Sequence, residues 1–294
     1  MKYKAYKEQI IKKLVEYKHN VLKEPGKGEF VSTDKEGNKK VTYHDHILEK
    51  SKARKNVIET YRDDFYKSGF DVDKLHSYFH HLNSSQAMCI NFFYPLIHER
   101  LLELVIKQLG VTGSIEYNSL SVCFEKVSDI EKGNYRKTNF DFFIKLDTGF
   151  KIYFEIKYTE EEFSGKIKST TKLSDSPDTY SDKYNQVYRQ LVDKCPALND
   201  EANETIFLEH YQLMRNVVHL SEDSMVVFIY PKGHETLKEQ ATFVRDKVLK
   251  EDWKSRMVLL HWEDLCANIL SEVESTSHAK LSNHYEEFKM KYSV

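Results

Sequence analysis

Thr138-Asn-Phe-Asp-Phe-Phe-Ile144 and Lys151-Ile-Tyr-Phe-Glu-Ile-Lys157, separated by the turn residues Asp147-Thr-Gly149, decide how this chain is read. Both stretches are rich in aromatic and β-branched residues, which suit a pleated surface, and the short Gly-containing link makes them neighbours in a hairpin. Successive side chains of a strand point to opposite faces. On the later strand Ile152, Phe154, Ile156 and Tyr158 therefore share one face, expected to pack inward, while Tyr153, Glu155 and Lys157 share the other. On the earlier strand Phe140, Phe142 and Ile144 form one set, and Asn139, Asp141 and Phe143 the opposite one. One hairpin register then sets Asp141 beside Glu155 and Lys157.

Three ionisable groups beside such apolar strands need a reason, because each charge costs desolvation energy unless it is paired or bound to an ion. Two adjacent carboxylates repel, and a divalent cation neutralises them. Mg²⁺, with Mn²⁺ as a substitute, prefers oxygen ligands, so Asp141 and Glu155 are the expected metal ligands, helped by the carbonyl of Ile156. Such an ion polarises a phosphodiester and lowers the pKa of an attacking water. Lys157 would orient or help deprotonate that water and balance the charge on phosphorus. The expected catalytic set is thus Asp141, Glu155 and Lys157, and the competing reading is a structural ion pair.

Outward from the hairpin, Leu120 to Phe124 reads as a preceding strand, and the hairpin strands extend to Leu146 and Tyr158. Before them, Asn83-Ser-Ser85 supplies N-cap residues for a helix that meets Pro95, which should kink it or begin a second helix through Leu109, with Gly110 as the stop. After them, residues 159–184 are polar and read as a long surface excursion. Helical pattern returns around 184–194 and 202–217. Met225 to Tyr230 is a buried-type strand stopped by Pro231-Lys-Gly233. A helix over 235–250, the strand Met257 to His261 and a helix from Glu263 complete the chain. Hairpins followed by β-α-β alternation imply an α/β fold with a mixed sheet flanked by helices. Residues 1–80 read as a mainly helical, lysine-rich N-terminal extension, with a break at Pro25-Gly-Lys-Gly28. A short hairpin there joins Glu29-Phe-Val-Ser32 to Lys39-Lys-Val-Thr-Tyr43 through Glu36-Gly-Asn38.

The pattern Asp141-x13-Glu155-x-Lys157, on a strand-turn-strand after a helix, resembles the PD-(D/E)xK nuclease superfamily, which includes type II restriction endonucleases and repair nucleases. Asp141 matches its first acid and Glu155 with Lys157 its (D/E)xK. Phe140 stands where the superfamily has proline, a departure that leaves the metal ligands untouched. Asn83-Ser-Ser-Gln-Ala87, Asn91-Phe-Phe-Tyr-Pro95, Phe154-Glu-Ile-Lys-Tyr-Thr159 and Tyr211-Gln-Leu-Met-Arg-Asn216 are similar to phrases of restriction endonucleases. The resemblance covers about residues 80 to 265, and the first 80 residues carry no resemblance that can be named. It implies a nuclease core over 81–294 with a restriction-endonuclease-like sheet, and a Mg²⁺-dependent endonuclease acting on double-stranded DNA in defence. Cutting both strands calls for two sites, hence a homodimer, and a protecting DNA methyltransferase would be its cellular partner.

Lesser candidates are weighed against plainer roles. Glu125, ending the first strand, is a further metal ligand or an exposed carboxylate. Glu99 is an extra acid of the kind the superfamily places on the helix before the sheet, or a solvated partner for Arg100 or a lysine. Gln212 faces the site, as similar nucleases imply, or caps its helix or lies exposed on the surface. Arg215, one helical step on, is a candidate phosphate contact, as are Lys166, Lys168 and Lys172 of the excursion. The lysines of residues 2–55 grip DNA or form a solvated face, residues 1–80 being a candidate recognition region. The pairs His44/His46 and His80/His81 are read as scattered surface residues, since neither Cys partners nor an HExxH helix accompany them.

The bulk properties fit without deciding. A net charge of -2 carries no global basic field, but a cleft can be locally basic. With 40% hydrophobic and 31% charged residues, disordered and fibrous classes are excluded. Cys89, Cys123, Cys195 and Cys266 lack CxxC spacing, which argues against a disulfide scaffold or zinc ribbon. With no apolar stretch after Met1 and no run of about 18 apolar residues, a cytoplasmic protein away from membranes is expected. Two alternatives stay open: a nuclease-fold protein that binds nucleic acid without cutting it, and a repair or RNA-directed nuclease of the same superfamily.

Overall fold

The hairpin expected from residues 138–157 is present. The computed structural model describes residues 3–34, 37–275 and 278–294. In chain order its helices and strands are α1 (Tyr3–Asn20), β1 (Gly28–Thr33), β2 (Lys39–His44), α2 (Glu59–Lys67), α3 (Ser85–His98), α4 (Glu103–Gln108), β3 (Val122–Val127), β4 (Asn139–Lys145) and β5 (Lys151–Ile156). There follow α5 (Tyr180–Lys183), α6 (Arg189–Lys194), α7 (Glu204–Glu209), α8 (Tyr211–Val217), β6 (Ser224–Tyr230), α9 (Glu235–Phe243), β7 (Met257–His261), α10 (Trp262–Ser275) and α11 (Ala279–Tyr292). The chain divides into two compact units, Ile106–His261 and a unit made of Met1–Val105 with Trp262–Val294.

The unit Ile106–His261 is built on a five-stranded sheet in the order β3-β4-β5-β6-β7. The β3/β4 and β4/β5 pairs are antiparallel, and the β5/β6 and β6/β7 pairs are parallel, which makes the sheet mixed. The tight link at Gly149, whose φ is 86°, explains the antiparallel β4/β5 pairing, while the crossovers after β5 and β6 carry helices. All of β6 is buried, as expected for a strand covered on both faces. One face of the hairpin carries Phe124, Phe142 and Phe154 in successive ring contacts of 5.1 and 5.5 Å. The opposite face, with Phe143, Tyr153, Val226 and Phe228, packs against Tyr188, Phe207, Leu213, Met214 and Val217 from the helices after β5. Both faces of the hairpin are thus apolar and filled, where only one had been expected to pack inward.

The other unit gathers α1, α2, α3, α10 and α11. Buried Tyr6, Ile10, Leu14 and Tyr17 recur at helical spacing along α1, and the Tyr17 hydroxyl donates to Glu287 of α11 at 2.6 Å. Asn91 of α3 is a buried pin: its Oδ1 accepts from the Ile58 amide at 2.8 Å and its Nδ2 donates to the Asn56 carbonyl at 2.8 Å. Ser84 caps α3 as expected, accepting from the Ala87 amide at 3.2 Å. The helix runs through Pro95 to His98 and breaks at Arg100, whose φ is 56°, rather than restarting at the proline. Gly110, with φ 67°, follows α4 as its stop. The first hairpin forms as β1 and β2, although Glu36 of its turn lies outside the described residues. The histidine pairs meet rather than scatter: the His44 and His46 rings lie 5.7 Å apart and those of His80 and His81 4.5 Å. Burial, then neighbouring histidines, pushes His46 down to about 4 and His81 to about 3, so both are neutral at physiological pH.

Candidate active site

Strand alternation fails at one place in the hairpin, and that place carries the acids. Phe124 pairs with Phe142 and Lys126 with Phe140, while the β4/β5 register runs from Lys145↔Lys151 to Phe142↔Phe154. Glu125 and Asp141 fall outside these pairings. Glu125 has φ 56°, a left-handed conformation that a non-glycine residue in a strand adopts only under constraint, and it lies within β3 rather than at its end. Beyond the irregularity the side chains change face. The Phe140 ring lies 4.5 Å from that of Tyr153 and 4.8 Å from that of His219, so Phe140 does not share the face of Phe142 as strict alternation requires.

Asp141 also bonds through its side chain. Its Oδ2 accepts from the Ile156 amide at 2.7 Å, holding the carboxylate against the end of β5. Just beyond β5, Lys157 donates to Glu155 Oε1 at 3.0 Å, and both side chains are buried, 9% and 4% exposed. Helix α8 completes the group: Gln212 Nε2 donates to Glu155 Oε1 at 2.5 Å and Asn216 Nδ2 to Glu155 Oε2 at 3.0 Å. On the neighbouring strand, Asn139 Nδ2 donates to Glu125 Oε2. The electrostatics follow from this crowding. Burial, then the charge of Glu155 and to a lesser degree that of Glu125, drives the Asp141 carboxyl well above the ordinary carboxylate range, with Lys157 opposing. Burial alone would lower Lys157, but Glu155, Glu160 and Asp141 outweigh it and hold the ammonium above its usual value.

Asp141, Glu155 and Lys157 are therefore brought together, with Glu125 close enough to act on Asp141 electrostatically. Gln212 faces the group rather than capping its helix. Glu99 belongs to the other unit, where it accepts from the Tyr61 hydroxyl at 2.8 Å. Arg215 turns inward: its Nε donates to Thr138 Oγ1 at 3.0 Å and its guanidinium lies 5.1 Å from the Tyr211 ring centroid. Lys166, Lys168 and Lys172 stand exposed on the excursion, Lys166 paired with Glu209 at 3.1 Å. Asn216 and Asn139 were missed as candidates. The spacing of Gln212 and Asn216, four residues apart on a helix, was the available signal for the former.

Among the described residues no group of three or more His, Cys, Asp and Glu side chains could by itself hold a metal ion. Magnesium does not require one, because it is commonly held through one or two carboxylates while water and substrate phosphate complete its shell. Two neighbouring carboxylates, one already resisting ionisation, are an oxygen donor set of that kind.

No curated protein and no solved structure matches the chain. A family model described as "Restriction Endonuclease associating with ARP" matches residues 12–293, a span that takes in the N-terminal helices and hairpin as well as the sheet. The first 80 residues, for which the sequence suggested no relative, thus fall largely inside the same match, and the chain belongs to this restriction endonuclease family.

Proposed function

We propose that the protein is a Mg²⁺-dependent endonuclease of the PD-(D/E)xK type that hydrolyses phosphodiester bonds in double-stranded DNA as a restriction enzyme. The observation that carries this reading is the gathering of a second acid, Asp141, held on the Ile156 amide at 2.7 Å, beside the buried Glu155–Lys157 pair. A structural ion pair needs one acid and one amine. A second acid pressed against it destabilises the fold, and such arrangements cluster where function requires them.

Asp141 and Glu155 would hold Mg²⁺ or Mn²⁺, with the Ile156 carbonyl as a further donor, and Glu125 would support Asp141. When bound, the ion supplies Lewis-acid polarisation of the phosphate and a water of lowered pKa. Lys157 places a fixed positive charge where the pentavalent phosphorus gathers negative charge, and it orients the attacking water. Gln212 and Asn216 keep the Glu155 carboxylate in one orientation. The exposed Lys166, Lys168 and Lys172 would meet DNA phosphates, so binding should weaken as salt rises. Two such sites in a homodimer would cut both strands, with a DNA methyltransferase protecting the host genome in the cytoplasm. Among the described residues no helix is long and apolar enough to cross a membrane.

One observation favours a second reading. Three donors already occupy the Glu155 carboxylate, as in a settled structural network, and a nuclease-fold DNA-binding protein without catalysis would need no more. A carboxylate has about four lone-pair sites, so one remains for a cation. Supercoiled plasmid incubated with the pure protein separates the readings. Discrete fragments in Mg²⁺, abolished by EDTA, are expected. A smear would mean a nonspecific nuclease, and no cleavage of DNA or RNA across Mg²⁺, Mn²⁺ and salt would leave the binding reading.

A further inference from the structure

We infer that helix α8 is the bracket that sets the two acids relative to each other, with Asn216 and Arg215 as its positioning residues. The inference rests on the reading of Asp141 and Glu155 as a cation-holding pair. Residues 212, 215 and 216 lie three and four apart, and so project from one side of the helix. Leu213, Met214 and Val217 seat the rest of the helix in the core packed against the sheet. The bracket itself is thus immobilised by burial.

Its two arms reach different strands. One arm is Asn216, itself 1% exposed, whose amide donates to Glu155 Oε2 and so fixes the carboxylate plane on β5. The other is Arg215, whose Nε donates to Thr138 Oγ1 at the root of β4, three residues before Asp141. Thr138 is gripped from a second side, since its amide donates to Glu131 Oε2 at 3.0 Å, and the Tyr188 hydroxyl donates to the same oxygen at 3.2 Å. Glu131 is buried and its other oxygen, Oε1, has no hydrogen-bond partner. The Arg215 guanidinium, over the Tyr211 ring, is near enough to feel the charge of Glu131.

The arrangement matters because Asp141 stands in neither strand register. The Ile156 amide at one end and the Thr138 anchor at the other add to whatever else holds it. Arg215 in this account never touches DNA. It acts through β4, and Asn216 acts through Glu155.

The test uses the full chain, with Mn²⁺ as the probe ion, read by the electron paramagnetic resonance of unbound Mn²⁺, and plasmid cleavage as the second readout. Asn216→Ala and Arg215→Ala are expected to weaken Mn²⁺ binding and lower kcat by about 10- to 100-fold each, the usual effect of losing a group that orients a ligand. KM should stay within about twofold, because neither residue meets DNA, and Arg215→Lys should recover part of the loss by keeping the charge and one donor. Thr138→Val removes the acceptor without altering the helix and should move both readouts in the same direction, so the inference is testable even if an α8 variant does not fold. Wild-type Mn²⁺ affinity and kcat in Asn216→Ala or Thr138→Val, beside an active wild type, would overturn the bracket. A selective rise in KM for Arg215→Ala would overturn its arm by making it a DNA contact. A wild type that neither binds Mn²⁺ nor cleaves would overturn the underlying reading, and the bracket with it.

Discussion

Glu155→Gln should lower the single-turnover rate of plasmid cleavage by about 10³-fold or more while leaving DNA affinity in EDTA within about twofold. The substitution keeps the shape of the side chain and one oxygen able to accept from Lys157, Gln212 or Asn216. It removes the negative charge that, with Asp141, would hold the cation. It also replaces the charged partner of Lys157 at 3.0 Å with a neutral one, weakening the hold on the ammonium in the position where it would face the phosphate. Losing one preorganised electrostatic group commonly costs about 10²–10³ in rate, and losing an acid–base group about 10²–10⁴. Single-turnover conditions with saturating enzyme remove binding and product release from the comparison. Cleavage within tenfold of wild type would show that Glu155 belongs to the scaffold.

The second large effect runs in an unusual direction: in EDTA at pH 8, Asp141→Asn should be more stable than wild type. The sign follows from the raised pKa. A carboxyl whose folded-state pKa lies above its unfolded value adds stability that is fully present below the unfolded value, and this is lost as pH rises through the folded value. Ionised Asp141 is therefore a burden in the metal-free protein, and asparagine retains an oxygen to accept from the Ile156 amide without the charge. Relief of functional strain of this kind is worth about 0.5–2 kcal/mol. The gap between variant and wild type, followed by urea denaturation, should be widest at high pH and close as pH falls toward the unfolded carboxylate value. Added Mg²⁺ should narrow it by stabilising the wild type alone. An ordinary salt-bridged aspartate gives the opposite sign, so a variant less stable in EDTA at pH 8 would remove the argument from charge crowding.

These effects converge on residues that were legible before any coordinates, and the reason is local. A hairpin with a tight turn and an aromatic-rich pattern makes its two strands neighbours, so the proximity of Asp141 to Glu155 and Lys157 is readable locally, although the final setting of Asp141 is not. Ser84 and Gly110 likewise mark helix ends through short-range hydrogen bonding and backbone conformation. Elsewhere, long-range packing decided. Phe140 crosses to the face of Tyr153 because Glu125 and Asp141 leave the ladder together, a two-strand irregularity invisible in either strand separately. The break between α3 and α4 sits at Arg100 rather than at Pro95. The chain from Trp262 onward forms two helices, and the second packs its buried Tyr285, Phe288 and Tyr292 in the unit that contains α1, a long-range association that local pattern does not reveal. Arg215, read as a phosphate contact, had no local signal for its inward turn. Its partner Thr138 lies 77 positions away.

The most direct test is a Mn²⁺ titration of wild type, Asp141→Asn and Glu155→Gln at pH 8. Saturable uptake of the ion by the wild type, absent or at least about tenfold weaker in both variants, is the predicted result. Equal uptake by all three proteins, or none by any, would contradict the assignment of these two acids as a cation-holding centre.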